Sequence, residues 1–437
     1  MLACKALTTT ALLLAGCYQP RAGDCEYLCG AGNSCPSGLT CDNNICRDPA
    51  EVGTSCGAAD VDAQPDGADG PPACAWSFTP SNFDPCAIAP ASAPLQIAQD
   101  LTYDTGDNTL DANGTTITTE LAGGLRFLHV SRLEIAAGFT FLVTGDLPLV
   151  IVVDGEANVF GTIDAGATPD NPGPGGDRAD SGTGVGALCA TTVGRGGIGQ
   201  PNAGVGGSGG GGAGFGEPGA DGARAPVAPM NAGGPGGASE PVTLPTLRGG
   251  CAGGRGGLGT AGSPGGRGGH GGGALQISAR GTMTITGAVQ ASGGGGVGGS
   301  KAVAGAAGGG GGGGAGGLIV LEAGDGEVAA NGRVCANGGG GGAGGGAGII
   351  QTGQRGQCDA AFTAAVGGKD LTGNTGGSGG NGGTKVADTS VTPPTSGNGS
   401  NGAAAGGGGG GVGRVLLGGQ LDVSVDAKLS PDPEVLP

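Results

Sequence analysis

The chain has 437 residues, of which 111 are glycine, and carries one Trp, three Tyr and eight Phe against a net charge of −17. Glycine loses more backbone entropy on ordering than any other residue, so this composition excludes a large conventional aromatic core. The charge weighs against nucleic acid or an anionic lipid surface as a partner and keeps the chain soluble.

Residues 1–16 read as a targeting segment, with Lys5 as the lone cation and Ala6–Ala15 as an apolar stretch too short to span a bilayer. The segment ends in Leu14-Ala15-Gly16-Cys17, which resembles the lipobox of bacterial lipoproteins. That resemblance implies cleavage before Cys17 and attachment of diacylglycerol to its sulfur. Two or more acyl chains give stable anchoring. Residue 18 is Tyr, where Asp would mark inner-membrane retention in the best-known sorting rule, so the expected address is the bacterial outer membrane, on its periplasmic side or the cell surface.

Cysteine usage agrees with export. Setting aside Cys4 and Cys17, the 14 cysteines leave an even twelve, as an oxidising compartment favours. Residues 17–56 hold Cys25, Cys29, Cys35, Cys41, Cys46 and Cys56 in a module too small for its own core, so bridges must stabilise it. Zinc is the competing reading, but the module has no His and no paired CxxC knuckle. Six cysteines allow 15 connectivities, and sequence selects none of them. The Cys35–Cys41 stretch CPSGLTC resembles small EGF-like or Dickkopf-like cysteine modules. Residues 57–73 are small, acidic and proline-containing, and read as a disordered linker. Cys74 and Cys86 open the remaining region, 74–437, in which Cys189 with Cys251 and Cys335 with Cys358 form two further groups.

Internal repeats organise that region. Segments from Pro148, Gly273, Gly316 and Val412 share one grammar: an apolar strand, a Gly or polar turn, a second alternating strand and a third short apolar pair. A partner from Leu125 has the same texture. Met283 and Ile285 alternate with Thr282, Thr284 and Thr286, the pattern of a half-buried strand. A unit of about 20 residues cannot bury its apolar face alone and must stack on neighbours. The expectation is an all-β chain: a right-handed parallel β-helix with one repeat per coil, preferred over a β-sandwich, behind a small disulfide-rich N-terminal module.

Between repeats lie glycine-rich insertions, at about 166–272, 293–315, 338–348 and 367–411, expected to emerge at one corner of the coil. Within them Gly recurs every third residue, as at Gly250, Gly253, Gly256 and Gly259, or Gly373, Gly376, Gly379 and Gly382. Three residues per turn is polyproline-II geometry, so partly ordered polyglycine-II packing, held by Cα–H···O contacts, is preferred over a flexible linker. Collagen shares the period, but Pro is sparse here and the register breaks often.

A catalytic constellation does not emerge. Glycoside hydrolysis needs two carboxylates at a fixed separation. The repeat column holding Asp164 reads Gln290, Cys335 and Ser430, and Asp154 and Glu322 read as solvated turn residues. Of the two His, His129 reads as a strand residue and His270, in GGRGGHGGG, as solvated. Calcium nonapeptides need an Asp that GGSGGNGG and GGAGGG lack, and Gly299-Ser300-Lys301 and Gly368-Lys369-Asp370 lack the context of a phosphate loop. No metal and no cofactor is expected.

The coils and poly-Gly insertions behind a lipobox and Cys module resemble glycine-rich exported lipoproteins of Gram-negative bacteria and, in texture, PE-PGRS surface proteins, whose N-terminal domain this chain lacks. The resemblance implies a lipid-anchored envelope or surface protein with a structural or adhesive role and no catalysis. Its partners would be the membrane, through the N-terminal lipid, and glycans or other envelope proteins. The alternative is a carbohydrate-active β-helix lyase or hydrolase; a remote one is ice binding, for which the single TMTIT motif is thin support.

Overall fold

The computed structural model describes residues 27–28, 34–35, 38–42, 45–47 and 49, then 76–88, 91, 93–179, 189, 194–201, 206–225, 232–240, 247–259, 263–300, 307–346, 350–359, 361, 363–371, 376–384, 392–397 and 404–436. Cys17, Cys25, Cys29, Cys56, Cys74, the targeting segment and the acidic linker lie outside them. The chain divides into two compact units, Met1–Pro72 and Ala73–Pro437. In the first, β1 (Tyr27–Leu28), β2 (Thr40–Asp42) and β3 (Ile45–Arg47) form a small antiparallel sheet with β3 in the middle. A Cys35–Cys46 disulfide crosses this unit, and Cys41 is also disulfide-bonded.

Apart from one 3-10 turn at Pro85–Ala87, the regular elements described in the second unit are strands. The unit opens with β4 (Leu95–Ile97), β5 (Leu101–Asp104), the hairpin of β6 (Thr109–Ala112) and β7 (Thr115–Thr118), and β8 (Glu120–Ala122). Next come β9 (Leu125–Val130), β10 (Leu133–Ile135), β11 (Thr140–Thr144), β12 (Leu149–Val153), β13 (Ala157–Val159) and β14 (Thr162–Asp164). The remainder are β15 (Ala274–Ile285), β16 (Ala288–Gln290), β17 (Leu318–Val328), β18 (Arg333–Cys335), β19 (Arg414–Val423), β20 (Lys428–Ser430) and β21 (Glu434–Val435). The repeats from Pro148, Gly273, Gly316 and Val412 supply β12–β14, β15–β16, β17–β18 and β19–β20.

Parallel pairing joins each repeat to the next. One sheet runs β9-β12-β15-β17-β19, and a second runs β5-β11-β14-β16-β18-β20. Register turns the alternating sequence into ladders of like side chains. Leu128, Ile151, Ile277, Leu321 and Leu417 are direct partners along the first sheet, and Phe141, Ile163, Val289, Val334 and Leu429 along the second. All ten are buried in one core cluster, each burial contributing about 1.5–3 kcal/mol. Met283 and Ile285 point into that core, while Thr282, Thr284 and Thr286 remain exposed or half-exposed. At one end of the stack the β6–β7 hairpin buries Leu110, Ala112 and Ile117 against the same core. Its turn is Asn113-Gly114, both at positive φ (49° and 81°), the dipeptide that a tight two-residue hairpin favours.

Every long glycine insertion leaves after β14, β16 or β18, neighbours in one sheet, and returns into β15, β17 or β19, neighbours in the other. All of them therefore connect the second sheet to the first in the same sense. The tracts are ordered by full N–H···O=C hydrogen bonds and not by the weaker Cα–H contacts expected from the period alone. Tract 207–213 displays the rule. Gly207, Gly210 and Ala213 donate to Ala307, Gly310 and Gly313; Ser208 and Gly211 donate to Gln200 and Gly197; Gly209 and Gly212 donate to Ala223 and Ala220. Successive N–H groups thus turn to three different neighbours and return to the first every third residue.

Tract 308–317 donates in the same rotation to 291–300, 251–257 and 405–411, and accepts from 207–213, 266–272 and 339–345. Six neighbours leave room for no side chain but the methyl of Ala315 near the tract's end. A Cβ on Gly311, Gly312 or Gly313 would lie 2.0, 1.9 or 2.0 Å from the carbonyl oxygens of Arg267, Gly211 and Gly339. Tracts 207–213, 338–345 and 405–411 are likewise enclosed. Edge tracts differ, because one position in three faces outward: Pro218, Asp221 and Arg224 on one, Ala232, Pro235 and Ala238 on another. Cys189–Cys251 and Cys335–Cys358 disulfides tie tracts down, as do the ion pairs Arg195–Asp177 and Arg355–Asp164.

Candidate functional site

Chemistry-bearing side chains gather on the outer face of the first sheet. Because side chains alternate along a strand, the residues between the core ladders face outward. Register aligns them as His129, Val152, Ser278, Glu322 and Gly418 in one row, and Phe127, Val150, Gln276, Val320 and Leu416 in the next. A strap comprising residues 76–88 and Ala91 lies across this face, with Trp76, Phe83 and Ile88 packed on a second apolar cluster that includes Val150, Val152 and Val320. Trp76 makes edge contacts with Phe78 and Phe83, and Phe83 with Phe127, at 5.3, 5.8 and 6.0 Å between centroids. Cys86 of the strap is disulfide-bonded.

Beneath the strap Glu322 is 2 % exposed, which corrects the expectation of a solvated turn residue. Its carboxylate accepts from the Ser81 amide (3.0 Å), the Ser81 hydroxyl, Gln276 Nε2 (2.9 Å) and Ser278 Oγ (2.7 Å). Asn82 Nδ2 donates to Gln276 Oε1 at 2.7 Å. A buried carboxylate is tolerated only when hydrogen-bonded, and four donors meet that demand here. The network fastens the strap.

His129 and Asp154, which sequence left apart, meet at 3.0 Å between Nε2 and Oδ1. Asp154 Oδ2 also accepts from the Ala91 amide (2.6 Å), and its backbone carbonyl accepts from Arg280 Nε (2.8 Å). The imidazole is therefore oriented by a carboxylate that is itself held by the strap and by β15. Asp154 follows β12 at a parallel strand end, and the 25-residue separation hid the pairing from linear motifs.

Beside His129 is a cavity of about 370 Å³, walled by Phe83, Ile88, Phe127 and Val152 and rimmed by Asp84, Thr118 and Glu120. It forms because the strap covers the middle of the sheet but stops short of its β8 edge. Glu120 of β8 is the direct antiparallel partner of Phe127 in β9, so the carboxylate and the ring share one face. Asp84 is fixed in turn by accepting from the Cys86 amide at 2.9 Å.

The other sequence candidates are placed differently. Asp164, Gln290, Cys335 and Ser430 are register partners in one row, so no acidic ladder forms there. Asp164 is instead clamped by Arg355 Nη2, at 2.7 and 2.8 Å from its two oxygens. His270 is 1 % exposed inside the glycine tracts, not solvated, and its Nδ1 accepts from the Ala179 amide at 3.0 Å. The Sγ atoms of Cys189 and Cys251 and a Glu240 carboxylate oxygen converge within 4.8 Å, but the two sulfurs are bonded to each other and so are not thiolate ligands. No helix among the described residues is long and apolar enough to cross a membrane. No protein-family model, characterised protein or solved structure matches this chain.

Proposed function

We propose that this chain is a lipid-anchored envelope protein with a structural or adhesive role, held through Cys17 at the bacterial outer membrane and presenting a glycine scaffold to envelope glycans or proteins. In this reading the strand rows are successive coils of a right-handed parallel β-helix, and the tracts form a polyglycine-II bundle inserted at one corner. The observation that carries the reading is the pattern of the bundle: enclosed tracts that are glycine apart from a few small buried residues (Ser208, Ala213, Ala315, Ala343, Ala405), and edge tracts that present a side chain at every third residue, as with Pro218, Asp221 and Arg224. Such a surface is a stiff grating of short ridges, suited to wide, shallow contact with an extended polymer. The Leu14-Ala15-Gly16-Cys17 sequence supports the anchor, and the even cysteine count supports an oxidising compartment.

A direct test compares wild type with Cys17→Ser in fractionated cells and then measures retention of the full chain on isolated envelope polysaccharide. The expected result is wild type in the membrane fraction, Cys17→Ser in the soluble fraction, and retention by the polysaccharide. Membrane association that survives Cys17→Ser would overturn the anchor, and absence of retention would overturn the adhesive role.

A second reading, a carbohydrate-active enzyme, draws on the His129–Asp154 pair beside the cavity. It requires release of reducing ends from acidic polysaccharides, with release abolished by His129→Ala.

A further inference from the structure

We propose that the cavity between the strap and the β8–β9 edge binds an organic cation: a protonated primary amine on a small ring or short chain. The residues that line the space favour such a ligand whether or not the protein has the envelope role.

The cavity, at about 370 Å³, lies within the size range of sites for small ligands. Its inner wall is apolar and aromatic, from Phe83, Phe127, Ile88 and Val152. Among the described residues neither Lys nor Arg lines it, whereas Asp84 and Glu120 stand at its rim. His129 also lines the space, and its Nε2 is turned to Asp154, a carboxylate already paired and outside the lining. An anion entering would meet the like charge of Asp84 and Glu120 and no Lys or Arg among the described lining residues. A neutral apolar ligand would desolvate the rim carboxylates without pairing them, which carries a penalty. An ammonium group satisfies the carboxylates, and the negative face of a phenylalanine ring attracts the same charge. Glu120 and Phe127 are cross-strand partners, and direct partners of this kind have Cβ atoms about 4.5–5.5 Å apart, so one cation can reach both. A bare metal ion fits less well. Among the described residues the only three His, Cys, Asp or Glu side chains that converge closely enough to ligate are Cys189, Glu240 and Cys251, away from this cavity. The net charge of −17 favours encounter with any cation, and the lining selects one with an apolar body.

The test titrates the full chain in detergent with 2-phenylethylamine at neutral pH, against its neutral isostere 2-phenylethanol, by calorimetry or ligand-observed NMR. The amine is expected to bind with a Kd near or below ~1 mM. The alcohol should bind at least ten-fold more weakly. Glu120→Gln should weaken the amine by about ten-fold, and Phe127→Leu, which keeps the apolar wall, by several-fold. Glu120 is exposed on an edge strand, so far-UV circular dichroism is expected to be unchanged in Glu120→Gln. Equal affinity for amine and alcohol, or an unchanged amine Kd in a folded Glu120→Gln protein, would overturn the proposal. So would displacement of the amine by millimolar calcium, which would make this a metal site.

Discussion

The strand stack and the glycine bundle answer the same backbone demand with different periods. In the stack, successive N–H groups alternate between two neighbouring strands, which leaves both faces of the sheet free for side chains; Leu128, Ile151, Ile277, Leu321 and Leu417 occupy one of them. In the bundle, successive N–H groups rotate among three neighbours, and carbonyls rotate among three more, so an enclosed tract such as 308–317 has no free direction. The stack excludes water by filling space with branched side chains. The bundle excludes it by removing side chains until backbones touch. Each hydrogen bond contributes a net of about 0.5–1.5 kcal/mol, while ordering a residue costs about 1–2 kcal/mol. Glycine tracts therefore do not hold themselves together, and the comparison implies that the bundle depends on the stack and on its disulfides.

The largest effect should come from hollowing the stack. Ile277 is fully buried in the middle of its ladder, so Ile277→Ala is expected to destabilise the protein by about 4 kcal/mol in denaturant unfolding, from lost transfer energy and the cavity left behind. Amide exchange should accelerate in the bundle as well as in the strands. Continued protection of tract 308–317 with the ladders exchanging freely would break the dependence.

The opposite substitution, small to large, should disrupt the bundle. A Cβ on Gly312 would lie 1.9 Å from the Gly211 oxygen and 2.3 Å from its carbonyl carbon, both backbone atoms of an enclosed neighbour. Gly312→Ala is expected to cost about 3 kcal/mol, as overpacking does, despite a gain of about 0.4–1 kcal/mol from a stiffer unfolded chain. Exchange should rise first at 207–213 and 251–257, the tracts that meet it. A stabilised variant would mean that the tracts separate more readily than their hydrogen bonds indicate.

Opening the Cys189–Cys251 bridge, which spans 62 residues, removes about 4 kcal/mol on the loop-entropy model. The expected loss for Cys189→Ser with Cys251→Ser is smaller, about 2 kcal/mol. The Arg195–Asp177 ion pair and the Asp177 amide bond to the Gly250 carbonyl still hold both ends of the tract. Calorimetry of wild type and double variant measures it, and a loss confined to the bundle would appear as a separate early transition.

How far the sequence discloses these two regions follows from the same periods. Period two in TMTIT marks a strand buried on one face, the apolar run LVIVV is buried on both, and the repeat alignment places Asp164, Gln290, Cys335 and Ser430 in one column, which register reproduces. The cysteine grouping of Cys189 with Cys251 and Cys335 with Cys358 matches the bonds formed. The short strands of 95–122 are harder to see, because they cap the stack and share no repeat with it, although Asn113-Gly114 carries a local hairpin signal. The outer-face chemistry is not legible at all. Ser81 and Glu322 are 241 residues apart, and only the path of the strap brings them together. Nor does composition say which glycines are enclosed, although the pattern helps once the geometry is known: unbroken runs such as Gly308–Gly314 lie inside, and Gly-Gly-X repeats with a large exposed X, such as those ending in Arg255 and Leu258, lie at edges.

That last distinction makes the smallest effect the sharpest test, because it sets two adjacent residues of one edge tract against each other. Gly256 and Gly257 are buried, whereas Leu258 is 45 % exposed. A Cβ on Gly257 would lie 2.2 Å from the Gln200 oxygen, so Gly257→Ala should cost about 2 kcal/mol, somewhat less than the same change in a tract enclosed on all sides. Leu258→Ala, one residue on, should move stability by no more than about 0.5 kcal/mol, as exposed substitutions do. Paired denaturant curves for the two variants read the difference. Equal losses would mean that position within the three-residue rotation does not decide tolerance, and the edge tracts would then have to be packed against something that covers Leu258.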